Sequence, residues 1–174
     1  VLSPGDLFAF RQLYDERLGL PWPAGVRLQE VTVLLAERLA AGALELEGLG
    51  GTESNSDASQ SPNYAYVDPP HTVRAPERMA APRSLLAAVM PAPGIELFWR
   101  QERTHPAGST SLKFANPQLA DHLTYARLGD AVQSGARLLI SDDCGTLHAL
   151  SVHASRFGVQ VQGLYELLAE QLER

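Results

Sequence analysis

The residues able to do chemistry fall in three short stretches. Asp68-Pro-Pro-His71 closes one apolar run, with Arg74 just beyond it. His105 lies within 104–110. Ser141-Asp-Asp-Cys-Gly145 follows the apolar run Arg137-Leu-Leu-Ile140, and His148 stands one helical turn past Cys144. Thiolate and imidazole together are good zinc ligands. Cys144, His105 and His71, with Asp68 or Asp143 as a fourth donor, therefore make a chemically sensible mononuclear metal site. Their spacings match no established zinc pattern, so the same residues also read as the polar lining of a cleft that holds no metal. Cys144 and His105 are the candidate catalytic pair. A base beside a thiol at a helix start supports thiol redox or nucleophilic chemistry, although free cysteines are commonly inert packing residues. Asp68, Asp142 and Asp143 could act as acid–base groups or simply as turn and cap residues. Arg74, Arg78, Arg83, Arg100 and Arg103 could hold a carboxylate or phosphate, or pair with Glu77, Glu96 and Glu102. His71, Arg74 and Asp68 are the candidate ligand-binding set. No phosphate-cradling loop is present: Gly48-Leu-Gly-Gly51 follows no strong strand and opens no helix.

Composition limits the alternatives. The chain has 174 residues, a net charge of −6 and a pI near 5.3. That charge argues against a nucleic-acid binder, which needs clustered Lys and Arg. No apolar run approaches the ~20 residues of a membrane-spanning helix, and Pro4, Gly5 and Asp6 interrupt any early secretory segment. The single cysteine excludes an internal disulfide and fits a reducing compartment, so a cytoplasmic protein is expected. The first residue is Val and not Met, which suggests a fragment of a longer chain or a processed product.

The chemistry-bearing loops must be positioned by regular elements. Helices are expected over 6–18, 30–41, 80–90, 117–132, after Gly145 to about Phe157, and over 164–172. Strands are expected at 26–28, 64–67, 95–99, 137–140 and 159–161. The stretch 48–62 is rich in Gly, Ser, Asn, Thr and Asp and reads as a flexible linker or mobile loop. From Tyr64 onward strands and helices alternate. The expected fold class is therefore α/β, with a parallel, Rossmann-like sheet flanked by helices and its chemistry at the strands' carboxyl ends.

Leu34-Leu-Ala-Glu-Arg-Leu39 matches Leu167-Leu-Ala-Glu-Gln-Leu172, and each is preceded by a helix, a glycine and a short strand. The shared order suggests duplication. Residues 1–47 then form the C-terminal tail of a first repeat, and 63–174 a complete second one.

These features resemble the cysteine-rich (CCG) domains of iron–sulfur oxidoreductase subunits, of the heterodisulfide reductase, glycolate oxidase and lactate-utilisation type. Those proteins carry two such domains in tandem. The family's His-Asp-Pro-Cys-His turn corresponds to Val67-Asp-Pro-Pro-His71, its Cys-Cys-Gly to Pro106-Ala-Gly108, and its later cysteine motif to Cys144-Gly-Thr-Leu147. Pro82-Arg-Ser-Leu-Leu86 matches the helix start after the first turn, and Leu164-Tyr-Glu-Leu-Leu-Ala-Glu170 the closing helix. The resemblance implies a CCG-like domain, an oxidoreductase setting with electron transfer, and partners that are flavin or iron–sulfur proteins of a redox complex. An iron–sulfur cluster is implied by the resemblance only. The five family cysteine positions read Pro70, Pro106, Ala107, Cys144 and Leu147, and one thiol cannot hold a cluster that needs several. The expectation is therefore a cluster-less subunit with no bound cofactor, not catalytic by itself, that docks into a redox complex acting in hydroxy-acid oxidation or disulfide reduction. The alternatives are a small-molecule or anion-binding domain, with a small carboxylate as ligand, or a Cys144-centred zinc or thiol enzyme. Neither nucleic acid nor membrane insertion is expected.

Overall fold

The computed structural model describes residues 4–21, 23–46, 48 and 63–172. Helix α1 (Pro4–Phe8) runs on as a π-helical stretch over Ala9–Arg17, followed by α2 (Val31–Ala40). Then come β1 (Tyr64–Tyr66), short 3₁₀ turns at Pro70–Arg74 and Pro76–Arg78, and α3 (Ala81–Val89). A 3₁₀ turn at Gln101–Arg103 leads to α4 (Thr110–Ala115) and α5 (Pro117–Ser134). The chain closes with β2 (Leu138–Ser141), α6 (Cys144–His153), β3 (Gln160–Gly163) and α7 (Leu164–Ala169).

The three strands form one parallel sheet in the order β1-β2-β3, with Tyr64 opposite Leu138 and Leu138 opposite Gln160. Side chains alternate across a strand, and here the alternation sorts the core into two layers. Ala65, Val67 and Leu139 face one side, where they meet Leu128 and Ala131 of α5 and Leu150 of α6. Tyr64, Tyr66, Leu138 and Ile140 face the other, where they meet Leu85, Leu86 and Val89 of α3 and Leu164, Leu167 and Leu168 of α7. The fold is α/β, with a parallel Rossmann-like sheet covered by helices on both faces, as the strand–helix alternation implies.

Residues 30–46 belong to this packing. Leu35, Ala36, Leu39 and Leu46 lie against the Tyr64–Ile140 layer, and α2 packs on α3. The strand expected at 26–28 does not form. A turn bond from Val26 N to Pro23 O occupies its start, and Leu28 O accepts from the Arg11 side chain at 3.4 Å. That strand is one of the elements on which the proposed repeat relied. The linker reading of 48–62 falls almost wholly outside the described residues.

The strand expected at 95–99 is reduced to a single parallel bridge, Ala65 to Ile95. The reason is local. The amides of Phe98 and Trp99 are taken by the carboxylate of Asp130 on α5, at 3.4 and 3.2 Å, instead of by a neighbouring strand. Helix α4, for which no helix is expected from the sequence, begins at the last residue of the polar loop expected at 104–110. Gly108, at φ +83°, lets the preceding loop lie against α5: a Cβ there would fall 2.1 Å from Ala120 O. Among the described residues no helix is long and apolar enough to cross a membrane.

Candidate functional site at the carboxyl edge of the sheet

Parallel α/β folds place their sites where the strands end, and this edge is filled by two buried charge networks. The first centres on Asp142, directly after β2. Its Oδ1 accepts from the Tyr66 hydroxyl at 2.7 Å, and its Oδ2 accepts from Thr32 at 2.6 Å and Arg78 Nη2 at 2.5 Å. Thr32 has one proton and gives it to Asp142, so the Tyr165 hydroxyl, 2.7 Å away, donates to Thr32. Arg78 also forks onto Glu30, at 2.7 and 2.8 Å, and donates Nη1 to Thr72 at 2.7 Å. Arg78, Glu30 and Asp142 have side chains only 1%, 2% and 0% exposed. Carboxylates on both sides of the guanidinium outweigh its burial and push its pKa further up. Burial drives Tyr66 well above the usual phenol range, with the Asp142 charge adding to it, and burial also raises Tyr165.

The second network centres on Asp68, after β1. Arg83 donates both Nη1 and Nη2 to its carboxylate, at 3.1 and 2.8 Å, and the Gln101 amide donates at 2.9 Å. Gln101 reaches this bond at φ +50°, the one positive φ at a non-glycine residue among those described. Arg83 continues to Glu96, which also pairs with Arg100. Arg127 of α5 is buried among carbonyl acceptors, Trp99 O and Asp68 O, with the Thr104 hydroxyl beside it. Burial without a paired carboxylate pulls Arg127 down to about 10.

The residues singled out from sequence are distributed unevenly along this edge. Asp68 is wholly engaged by Arg83 and Gln101, so it serves as framework and presents no open carboxylate to a ligand. His71 and Arg74 share a 3₁₀ turn and line one pocket with Leu7, Phe8, Arg11 and Gln12. His71 Nε2 is buried with no hydrogen-bond partner. Burial holds the His71 pKa below its usual value and the Arg78 charge adds to that, while Asp143, Asp142 and Glu30 partly offset them. Arg74 lies 4.9 Å over the Phe8 ring and joins no ion pair among the described residues.

His105 is turned inward on its own loop. Its Nδ1 is 2.8 Å from Pro106 O, which fixes the proton on Nδ1, and its ring stands edge-on to Trp99 at 5.1 Å. Burial lowers its pKa. Cys144 is exposed as the first residue of α6, behind Asp143, whose carboxylate caps the helix by accepting from Thr146 N at 2.7 Å. His148 lies further along α6, in a different pocket with Ser109 and Val152. Among the described residues no three His, Cys, Asp or Glu side chains are arranged to hold a metal ion. Cys144, His105 and His71 are thus not gathered into the tetrahedral site that their types suggested.

Glu30, Thr32, Tyr66 and Tyr165 dominate the edge without having stood out in the sequence, and Arg78 stood out only as one arginine of five. Glu30 and Thr32 flank the start of a helix, where such residues read as caps, and Tyr66 and Tyr165 read as packing. No family model, no curated protein and no solved structure matches this chain.

Proposed function

We propose that this domain binds a small anion of the carboxylate class in the His71–Arg74 pocket, as a binding module and not as an electron carrier. The observation that carries this reading is that one pocket is lined both by His71, whose Nε2 is buried and unsatisfied, and by Arg74, which has no acidic partner among the described residues. Buried polar atoms are nearly always satisfied, and Arg is well shaped for a carboxylate. Cluster chemistry finds no support in the donor set. Pro70, Pro106, Ala107 and Leu147 carry no ligating side-chain atoms, and Cys144 alone cannot hold iron–sulfur.

The test is thermal unfolding of the chain with acetate, glycolate and phosphate at matched ionic strength. Saturable stabilisation is expected, reaching about 2.7 kcal/mol at a hundredfold excess over Kd, and Arg74→Ala should abolish it. An equal effect from chloride, or an undiminished effect in Arg74→Ala, refutes the reading. Elemental analysis of anaerobically purified protein, with Cys144→Ala as control, tests the zinc alternative. Stoichiometric zinc that the control loses would move catalysis by a Cys144 site ahead of anion binding.

A second reading, a cluster-less CCG-type subunit docking in a redox complex, is favoured by one separate feature. Leu13, Tyr14, Leu18, Leu20 and Val26 are all exposed within one N-terminal stretch of sequence, and a contiguous apolar patch there would mark a protein interface. Stoichiometric co-purification with a flavin or iron–sulfur protein, lost in Leu18→Asp/Leu20→Asp, would support it. Retention in that variant would sink it.

A further inference from the structure

A second pocket lies on the opposite side of the sheet from α2 and α3, between α4, α5 and α6, and nothing in the proposed function uses it. Its volume is about 140 Å³ and its surface is mostly apolar, with Phe114, Ala149 and Val152 among its walls. The pocket is open to solvent on the side of Phe114 and Val152, which are 89% and 57% exposed, so it can seat a benzene-sized ring at the surface without enclosing it. The space exists because Gly108 brings the backbone of its loop against α5, while Thr124 donates to a backbone carbonyl, 2.7 Å from Ala107 O and 3.0 Å from Ala120 O.

The polar side of the pocket is unusual. His153 is 12% exposed, stands edge-on to Tyr125 at 4.9 Å, and neither of its ring nitrogens has a hydrogen-bond partner. Asp121 Oδ1 lies 3.5 Å from Nε2, within ion-pair range but too far for a good hydrogen bond. Lys113 pairs with the same Asp121 oxygen. A buried imidazole left without partners is costly. A group that both donates and accepts, placed beside Asp121 and the imidazole, would satisfy Nε2 and remove that part of the cost. Lys113 and Asp121 are paired with each other, so neither offers an unopposed charge to an ionic ligand.

We propose that this pocket is a binding site for a small uncharged ring compound bearing a hydroxyl group. The ring fills the space beside Phe114, Ala149 and Val152. A small shift of the His153 ring lets the hydroxyl bridge it to Asp121.

The test titrates the full chain with phenol, with benzene and benzoate as controls, and follows backbone amide shifts by NMR. Saturable millimolar binding of phenol is expected, with shifts confined to residues 107–125 and 145–153, and roughly tenfold weaker binding of benzene, the worth of one hydrogen bond. Benzoate should also bind more weakly. Ala149→Phe fills the cavity and should abolish binding. His153→Leu should equalise phenol and benzene while being at least as stable as the parent chain, because it removes an unsatisfied buried group. Absence of saturable phenol binding, shifts centred elsewhere, or phenol and benzene binding equally to the parent chain would each overturn the proposal. If Ala149→Phe does not fold, the His153→Leu comparison decides alone: an undiminished preference for phenol in that variant overturns it.

Discussion

Arg78→Met should be among the most damaging single substitutions in this chain, and the structure says why. Methionine preserves much of the side-chain bulk but removes four hydrogen bonds: two to Glu30, one to Asp142 and one to Thr72. What remains is two carboxylates, 2% and 0% exposed, facing each other with no cation between them. Breaking a buried pair by deleting one partner costs roughly 3–5 kcal/mol, because the survivor is charged and desolvated. Here there are two survivors, so the upper end applies. For a domain of this size each kcal/mol moves Tm by about 2–4 °C, so a fall of roughly 10–20 °C is expected in calorimetry. Burial also favours the neutral form of an unpaired carboxyl. The deficit of Arg78→Met should therefore shrink on acidification, and Glu30→Gln/Arg78→Met/Asp142→Asn should recover most of the stability. A loss below about 1 kcal/mol, the range of an exposed ion pair, would refute the network as a keystone. So would a deficit that does not change with pH.

Gly108→Ala should destabilise by at least about 2 kcal/mol, since it combines a strained φ with a backbone clash at 2.1 Å; Gly129→Ala on α5, with nothing within 4 Å of the new methyl, should instead stabilise by about 0.5–1 kcal/mol in the same melts. His71 has a folded pKa below its unfolded value, so the unfolded chain takes up its proton first as pH falls. The His71 contribution is whole above about pH 6.5, the ordinary imidazole value, and is lost as pH drops toward the folded pKa. Difference melts against His71→Gln should show that slope, and a bound carboxylate should oppose it, so anion affinity should rise on acidification. Asp143→Ala removes the α6 cap and should cost about 1 kcal/mol by urea unfolding; no loss would mean that water replaces the carboxylate.

The sheet was legible because its information is local. Tyr64–Val67 and 137–140 are short apolar runs bounded by turn residues, and α5 ends at Gly135, φ +84°, shortly after the helix end expected at 132. The strand at 95–99 misled because its competitor is distant in sequence: Asp130 captures two of its amides from another helix. The Asp142 network was unreadable for the same reason. Glu30, Arg78 and Asp142 are far apart in the chain, and each has an ordinary local meaning as cap, surface charge or turn residue. Residue type identified His71 and Arg74 as a pair because they share one turn. It could not bring His105 and Cys144 to them, because the orientation of His105 is set by its contacts with Pro106 and Trp99.

The register of the sheet also bears on how the chain reaches its native state. Tyr64 pairs with Leu138, so β1 and β2 are separated by roughly two-fifths of the chain. Non-local strand pairing of this kind folds slowly, because loop closure must precede any reward from the ladder. During that interval Leu138-Leu-Ile140, buried in the finished sheet, lacks the β1 strand on one of its two edges, while β3 lies close by in sequence. Its three consecutive aliphatic residues are then an unpaired edge of the sort that recruits other chains. The centre of the native sheet is thus also the point of greatest kinetic exposure, and refolding yield should fall with protein concentration well before equilibrium stability does.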